Sequence, residues 1–321
     1  YRFPKKISNL NAKIQIDNLL TKNINIINSQ TNKIFLSSIK EILFFLKFFK
    51  KILIQKEKKK NKKFNFNDCS VMNCIYVGAM LYYKNDINKT ILKIKKIFNL
   101  EGNVVVNSNE IKYLCGIRSS GKVLYSESEI VEQRSNAEVL KIFLIDSPLK
   151  SKSIDMLSKK KKIEYLETIN SQISISKECK KTLKNSKLII YCPGTQHSSL
   201  YPTYMTKSFS NYIIDNSNAF KVLITNIGAD YETPKFKDVD YVEGAFKYLS
   251  MNSQKNLLYK DLFNLVIINK PRLKNDSKYV KNEVKKIKSI KVNKVLKNFE
   301  DTINLGNHNF KLILDTIENI K

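Results

Sequence analysis

The chain has 321 residues, is 42% hydrophobic and carries a formal net charge of +28, enough apolar material for one large α/β domain or two smaller ones. Its only arginines are Arg2, Arg118, Arg134 and Arg272, so the excess charge is lysine travelling with Asn and Ile, the imprint of an A+T-rich genome. A base-reading surface keeps arginine for its bidentate geometry, and nucleic acid is set aside as a partner. Cys69, Cys74, Cys115, Cys179 and Cys192 are odd in number and form no CxxC pair, which speaks against a disulfide framework or a zinc site and for a reducing cytoplasm. Tyr1 in place of Met reads as the start of a downstream part of a longer chain.

In chain order, residues 5–55 show helical spacing, with a greasy face at Ile42-Leu-Phe-Phe-Leu-Lys-Phe-Phe49. That face either packs into a core or rests on an anionic membrane or a partner segment. Lys40, Glu41, Lys47, Lys50 and Lys51 exclude a membrane-spanning helix. Residues 56–63 read as an exposed lysine-rich loop, which places a helical insertion or linker at 1–63 and an α/β domain at 64–321. Two helices follow at 70–83 and 85–98, the second capped by Asp86 or Asn88. Strands are expected at 103–106, 111–117 and 122–126, the last two joined by the hairpin signal Arg118-Ser-Ser-Gly121, and another at 141–146.

A helix at 163–183 then leads to a strand at 187–192, a helix at 201–214 and a second buried strand at 221–226. Strand, helix, strand in that order implies a parallel sheet with right-handed crossovers. Helices at 241–250 and 257–263, a strand at 265–269 and a terminal helix at 310–320 complete the pattern.

The chemistry concentrates where the strand at 187–192 breaks into Tyr191-Cys-Pro-Gly-Thr-Gln-His-Ser-Ser-Leu-Tyr-Pro202. A buried strand that ends in Pro-Gly and a run of hydroxyl and amide side chains offers backbone N–H groups to an anion at the mouth of a sheet. Ligands of such sheets sit beyond the carboxyl ends of the strands, where residues 192–199 and 226–233 both fall. A phosphorylated small molecule is the expected ligand. Gly194 can take φ > 0 and aim N–H groups at a phosphate, with Pro193 shaping the turn and Thr195, Ser198 and Ser199 adding hydroxyls. Asn226 and Asp230 close the second strand, and Asp230 is a weak candidate for holding Mg²⁺ against phosphates. Asn73 opens a helix with side-chain groups that could read a ribose, a base or an acceptor. Arg134, kept against lysine drift, suits a bidentate contact to phosphate or an internal ion pair. His197 could donate to a phosphate or act as an acid, but a single exposed loop histidine reads first as polar surface. Cys192 reads as a buried structural thiol with no group placed to activate it.

Three stretches together resemble the family of 2-phospho-L-lactate transferases (CofD) and their bacterial relatives, the YvcK-like gluconeogenesis factors. The first is residues 188–202, similar to the family's strand, Gly-Pro-Gly loop, hydroxyl cluster and helix. The second is Val222-Leu-Ile-Thr-Asn-Ile-Gly228, and the third runs from Asn73 through Gly102-Asn-Val-Val-Val106 to Ser126-Glu-Ser-Glu-Ile-Val-Glu132. The resemblance spans about residues 65–249. It implies a three-layer Rossmann-like α/β fold with a mainly parallel sheet, missing the family's N-terminal glycine-loop strand. It also implies one of two roles. One is transfer of a phosphorylated group from a nucleotide diphosphate donor to a deazaflavin-type acceptor; the other is non-catalytic binding of a nucleotide-sugar (UDP-sugar) by a regulator. The ligand is then a nucleotide diphosphate or nucleotide-sugar, with Mg²⁺ allowed as cofactor and a homodimer as assembly. Two departures stand out: Met72 and Cys192 occupy positions where the family has glycine.

Overall fold

The computed structural model describes residues 2–29, 33–132, 135–150, 152–253, 255–272 and 278–321. The chain divides into two compact units, Tyr1–Val105 and Val106–Lys321, so the division falls beyond the boundary at 63 read from the sequence.

The first unit is helical: α1 (Asn9–Ser29), α2 (Lys33–Lys60), α3 (Val71–Tyr82) and α4 (Ile87–Ile97). Its core explains where it ends, because Phe45, Phe49 and Leu53 of α2 bury against Cys74, Ile75 and Ala79 of α3 and Ile94 and Ile97 of α4. Phe45, Leu46 and Phe49 of the greasy face are therefore core residues, while Phe44 is 46% exposed. Helix α2 also runs through Lys56 to Lys60, where a loop was expected. Lysine is a good helix former, and three of these cations sit in the last turn, where the helix dipole favours positive charge. The start of α4 follows expectation, with the Asp86 carboxylate accepting from Lys89 N–H at 3.0 Å. No helix of the described residues is long and apolar enough to cross a membrane.

The second unit holds two sheets. The smaller is antiparallel, in the order β2 (Val123–Leu124), β1 (Tyr113–Arg118), β3 (Val139–Ile145). The hairpin turn is as read: Gly121 sits at φ +83° and its N–H donates to Arg118 O at 2.9 Å, a conformation side chains with a Cβ resist. No strand forms at 103–106. Helix α5 (Glu127–Glu132) lies between β2 and β3, and α6 (Lys159–Thr168) and α7 (Lys177–Asn185) follow β3. The single helix expected over 163–183 is thus two. The intervening Asn170 and Ser171 are drawn to the end of β3, since Leu144 N–H donates to Asn170 Oδ1 at 3.0 Å and Ser171 N–H to Leu144 O at 2.6 Å. Ser176 then caps α7 by accepting from Cys179 N–H at 3.0 Å.

The larger sheet is parallel throughout, in the order β4 (Leu188–Tyr191), β5 (Phe220–Ile224), β6 (Leu265–Asn269), β7 (Asn293–Lys297). Between β4 and β5 lie α8 (Tyr201–Tyr204) and α9 (Phe209–Asp215), split at Ser208, which takes a left-handed φ of 64°. Helices α10 (Asp238–Ser250), α11 (Tyr259–Leu262), α12 (Val284–Ser289) and α13 (Phe310–Glu318) complete the unit. One face of the sheet packs Val222, Ile224, Leu265 and Ile267 against Phe299 and against Ile313 and Ile317 of α13. The side chains of the other face, Leu223, Val266 and Ile268, are buried as well. This is the Rossmann-like α/β arrangement expected, accompanied by an antiparallel sheet of its own. Strand β7 and helix α12 were not legible in the lysine-rich tail.

Candidate functional site

Strands β4 and β5 run side by side, with Tyr191 opposite Leu223, so the segments that leave their carboxyl ends meet. Asn226 locks them together: Gly194 N–H donates to its Oδ1 at 3.0 Å, and its Nδ2 donates back to Gly194 O at 3.1 Å. Gly194 holds φ +157°, and Gln196 Nε2 also donates to Gly194 O at 2.8 Å. The chain then winds through a wide turn at Gln196–Leu200 before α8. Inserted turns of this wide kind are frequent at functional sites.

The amide groups of that turn already hold a carboxyl group. Glu232, 1% exposed, accepts from His197 N–H at 2.8 Å and Ser198 N–H at 3.0 Å through Oε2, and from the Ser198 hydroxyl through Oε1. Thr195 and Ser199 hydroxyls lie 2.7 Å apart on the outer side, half-buried and exposed respectively. Asp230 organises the second loop. Its Oδ1 accepts from Glu232 N–H at 2.9 Å, Thr233 N–H at 2.9 Å and the Thr233 hydroxyl at 2.8 Å, while Oδ2 lies 3.5 Å from Asn226 Nδ2.

Arg118, at the end of β1, brings a buried cation to this region. It is 1% exposed and donates from Nη1 to Ala137 O at 2.7 Å. Burial lowers its pKa and the charge of Glu232 opposes that shift. On the Glu232 side, burial raises the carboxyl and the Ser198 contacts counter it.

His197 is the clearest departure from the sequence reading. Far from being an exposed loop residue, it is 2% exposed, its ring set edge-on to Tyr201 at 5.0 Å and to Phe236 at 5.9 Å. Burial first, then the charges of Lys247 and Arg118, hold its pKa down to about 3. The imidazole is therefore neutral at physiological pH and cannot act as a general acid from the imidazolium form. Its folded pKa lies below its ordinary value, so the stability it contributes is complete above about pH 6.5 and drains away as pH falls toward the folded value. In an NMR titration the His197 ring protons should stay at neutral-form shifts between pH 7 and pH 4; a midpoint near 6.5 would refute the burial argument.

The remaining candidates are distributed. Pro193 is half-buried before Gly194. Asn73 is exposed in the first turn of α3, in the first unit. Arg134 lies outside the described residues. Cys192 is exposed, not the buried thiol expected, because the chain turns outward immediately after Tyr191. Sequence reasoning missed Glu232 and Arg118. The scarcity of arginine that pointed to Arg134 pointed equally to Arg118, and Asp230-Tyr-Glu232 placed a second acid just beyond β5.

Residues 53–303 match the family described as 2-phospho-L-lactate transferase CofD. Two crystal structures of one Bacillus halodurans protein, described as a member of the UPF0052 family, share the fold. The first has a TM-score of 0.60 and 16% identity, covering 78% of this chain and 73% of that one. The second has a TM-score of 0.59 and 16% identity, covering 79% and 74%. No curated protein matches the chain.

Proposed function

The chain belongs to the 2-phospho-L-lactate transferase family, and from that premise we propose that it transfers a phosphorylated group from a nucleotide diphosphate donor to a deazaflavin-type acceptor. The donor's phosphates lie on the turn that follows β4. The observation that carries this reading is the pair of N–H groups of His197 and Ser198 converging on one carboxylate: a turn that binds a carboxylate with its main chain has the polarity phosphate requires. Because Glu232 already takes those donors and the Ser198 hydroxyl, and Gly194 N–H is taken by Asn226, Ser198 and Gly194 position the turn, and the phosphate contacts fall to the Thr195 and Ser199 hydroxyls. Asn226 is likewise a positioning residue, its amide spent on holding Gly194.

Catalysis on this reading is positioning and charge neutralisation, as is general for reactions at phosphorus. His197 is neutral and enclosed, and no covalent step is assigned to Cys192. Among the described residues no three His, Cys, Asp or Glu side chains gather as a metal site. The donor set thus fits Mg²⁺ only as a cation shared with the ligand, which Asp230 would help to hold. When bound there, it would offset charge on the donor's phosphates.

Calorimetric titration with nucleoside diphosphate donors and UDP-sugars, with and without Mg²⁺, tests the proposal. Donor binding strengthened by Mg²⁺ and weakened about tenfold by Thr195→Val or Ser199→Ala is expected, the cost of one hydrogen bond to a charged group. Tight UDP-sugar binding with no transfer to a deazaflavin acceptor would assign the regulator's role instead. Failure to bind any nucleotide would remove both.

A further inference from the structure

We propose that Cys69 and Cys74 form a reversible disulfide by exchange with a small-molecule disulfide, making the entry to α3 a thiol–disulfide site. The sequence shows two cysteines five residues apart with no redox spacing, but the fold places their Sγ atoms 3.8 Å apart. Both sulfurs are held there. Cys74 is 2% exposed in the first turn of α3. Cys69 is pinned by its main chain, its N–H donating to Phe66 O at 3.0 Å and its carbonyl accepting from Phe3 N–H at 2.9 Å. The two thiols differ in access: Cys69 is half-buried and Cys74 buried. Burial, then the proximity of Cys69, pushes the Cys74 thiol up.

That asymmetry sets the order of events. The Cys69 thiolate attacks one sulfur of the small disulfide, forming a mixed disulfide and expelling one thiolate, which takes up a proton. Cys74, losing its proton as it attacks, bonds to Cys69 Sγ and expels the second thiolate. Two protein thiols are oxidised and one small disulfide is reduced to two thiols, so atoms and electrons balance. The closed ring contains Ser70, Val71, Met72 and the exposed Asn73, and it fastens the first turn of α3 to the loop before it.

The test uses the full chain with Cys192→Ser, which removes the exposed thiol of the second unit. It is equilibrated with reduced and oxidised glutathione over a range of ratios, acid-quenched, alkylated and mass-mapped. The segment at 69–74 should lose both alkylation sites together, along with two hydrogens, and regain them on reduction. In Cys74→Ala, glutathione should accumulate on Cys69; in Cys69→Ser, Cys74 should carry no adduct. A chain with Cys74 intact that accumulates a lasting glutathione adduct on Cys69 overturns the proposal. So does one that stays alkylatable at both positions at every ratio that loads Cys69 in Cys74→Ala. Because Cys69→Ser changes only the half-buried partner, its melting temperature should match that of the reduced parent, and the oxidised parent should melt above both.

Discussion

Replacing Glu232 by alanine should cost the second unit about 3 kcal/mol, because two buried N–H groups and the Ser198 hydroxyl lose their acceptor. Replacing it by glutamine should not. The glutamine oxygen can take the place of Oε2 beneath His197 and Ser198, while its amide donates to Ser198 Oγ, whose hydroxyl can turn to Thr195 Oγ1 at 3.1 Å. Glutamine therefore imitates the protonated acid. Burial raises the Glu232 pKa above 4.5 in the folded chain, so the folded state holds that proton more tightly than the unfolded state does. The stability linked to the proton is complete below about pH 4.5 and is lost as pH rises through the higher folded value. Urea titrations of the parent and Glu232→Gln at several pH values isolate this term, since other groups cancel in the difference. The variant should gain on the parent as pH increases. Equal stability of the alanine and glutamine variants would show that the carboxylate does not hold the turn, and a glutamine variant that loses ground with rising pH would show the burial sign to be wrong.

Gly78→Ala is expected to be the most damaging single methyl in the first unit. A Cβ at that position would stand 2.0 Å from Phe45 O, 2.9 Å from its carbonyl carbon and 3.1 Å from Phe49 Cβ. The nearest obstacle is backbone in the middle of α2 and cannot swing aside. Relief requires α2 and α3 to part, which loosens the contact of Phe45 and Phe49 with Cys74, Ile75 and Ala79. Overpacking in a well-filled core costs about 1–3 kcal/mol, and a clash with main chain belongs at the upper end. Alanine is otherwise the better helix former by roughly 1 kcal/mol, so the sign of the change is itself diagnostic. Hydrogen exchange of the α3 amides reads it: faster exchange in Gly78→Ala supports the close approach, whereas slowed exchange would mean that helix propensity outweighs it.

How much of this was legible depended on which signal each element relies on. Strand β6 could be read to the residue because all five of its side chains are buried, and an uninterrupted apolar run is what a central parallel strand requires. Strand β7 could not: its residues Asn293, Lys294 and Lys297 carry no such signal, and pairing with β6 from Leu265 opposite Asn293 onward creates the strand. Helix α2 was recognisable from its phenylalanines, but its end was hidden because lysines serve a helix terminus and a loop equally well. The anion-binding character of the turn after β4 was visible in its glycine and hydroxyls. Its occupant was not, since Glu232 lies 34 residues beyond Ser198 and only the parallel pairing of β4 with β5 brings them together.

Among the described residues β7 pairs with β6 alone, and its Leu296 is 40% exposed. A bare strand of this kind is a template on which a second molecule can add, the first step of ordered aggregation. Here the flank is lysine: Lys291 precedes it, Lys294 turns its ammonium to the carbonyls of Ile290 and Val292, and Lys297 ends it. A second copy arriving in register would bring its own lysines against these. The compositional drift that seemed only a genomic imprint thus also sets like charge against edge-to-edge addition at this strand.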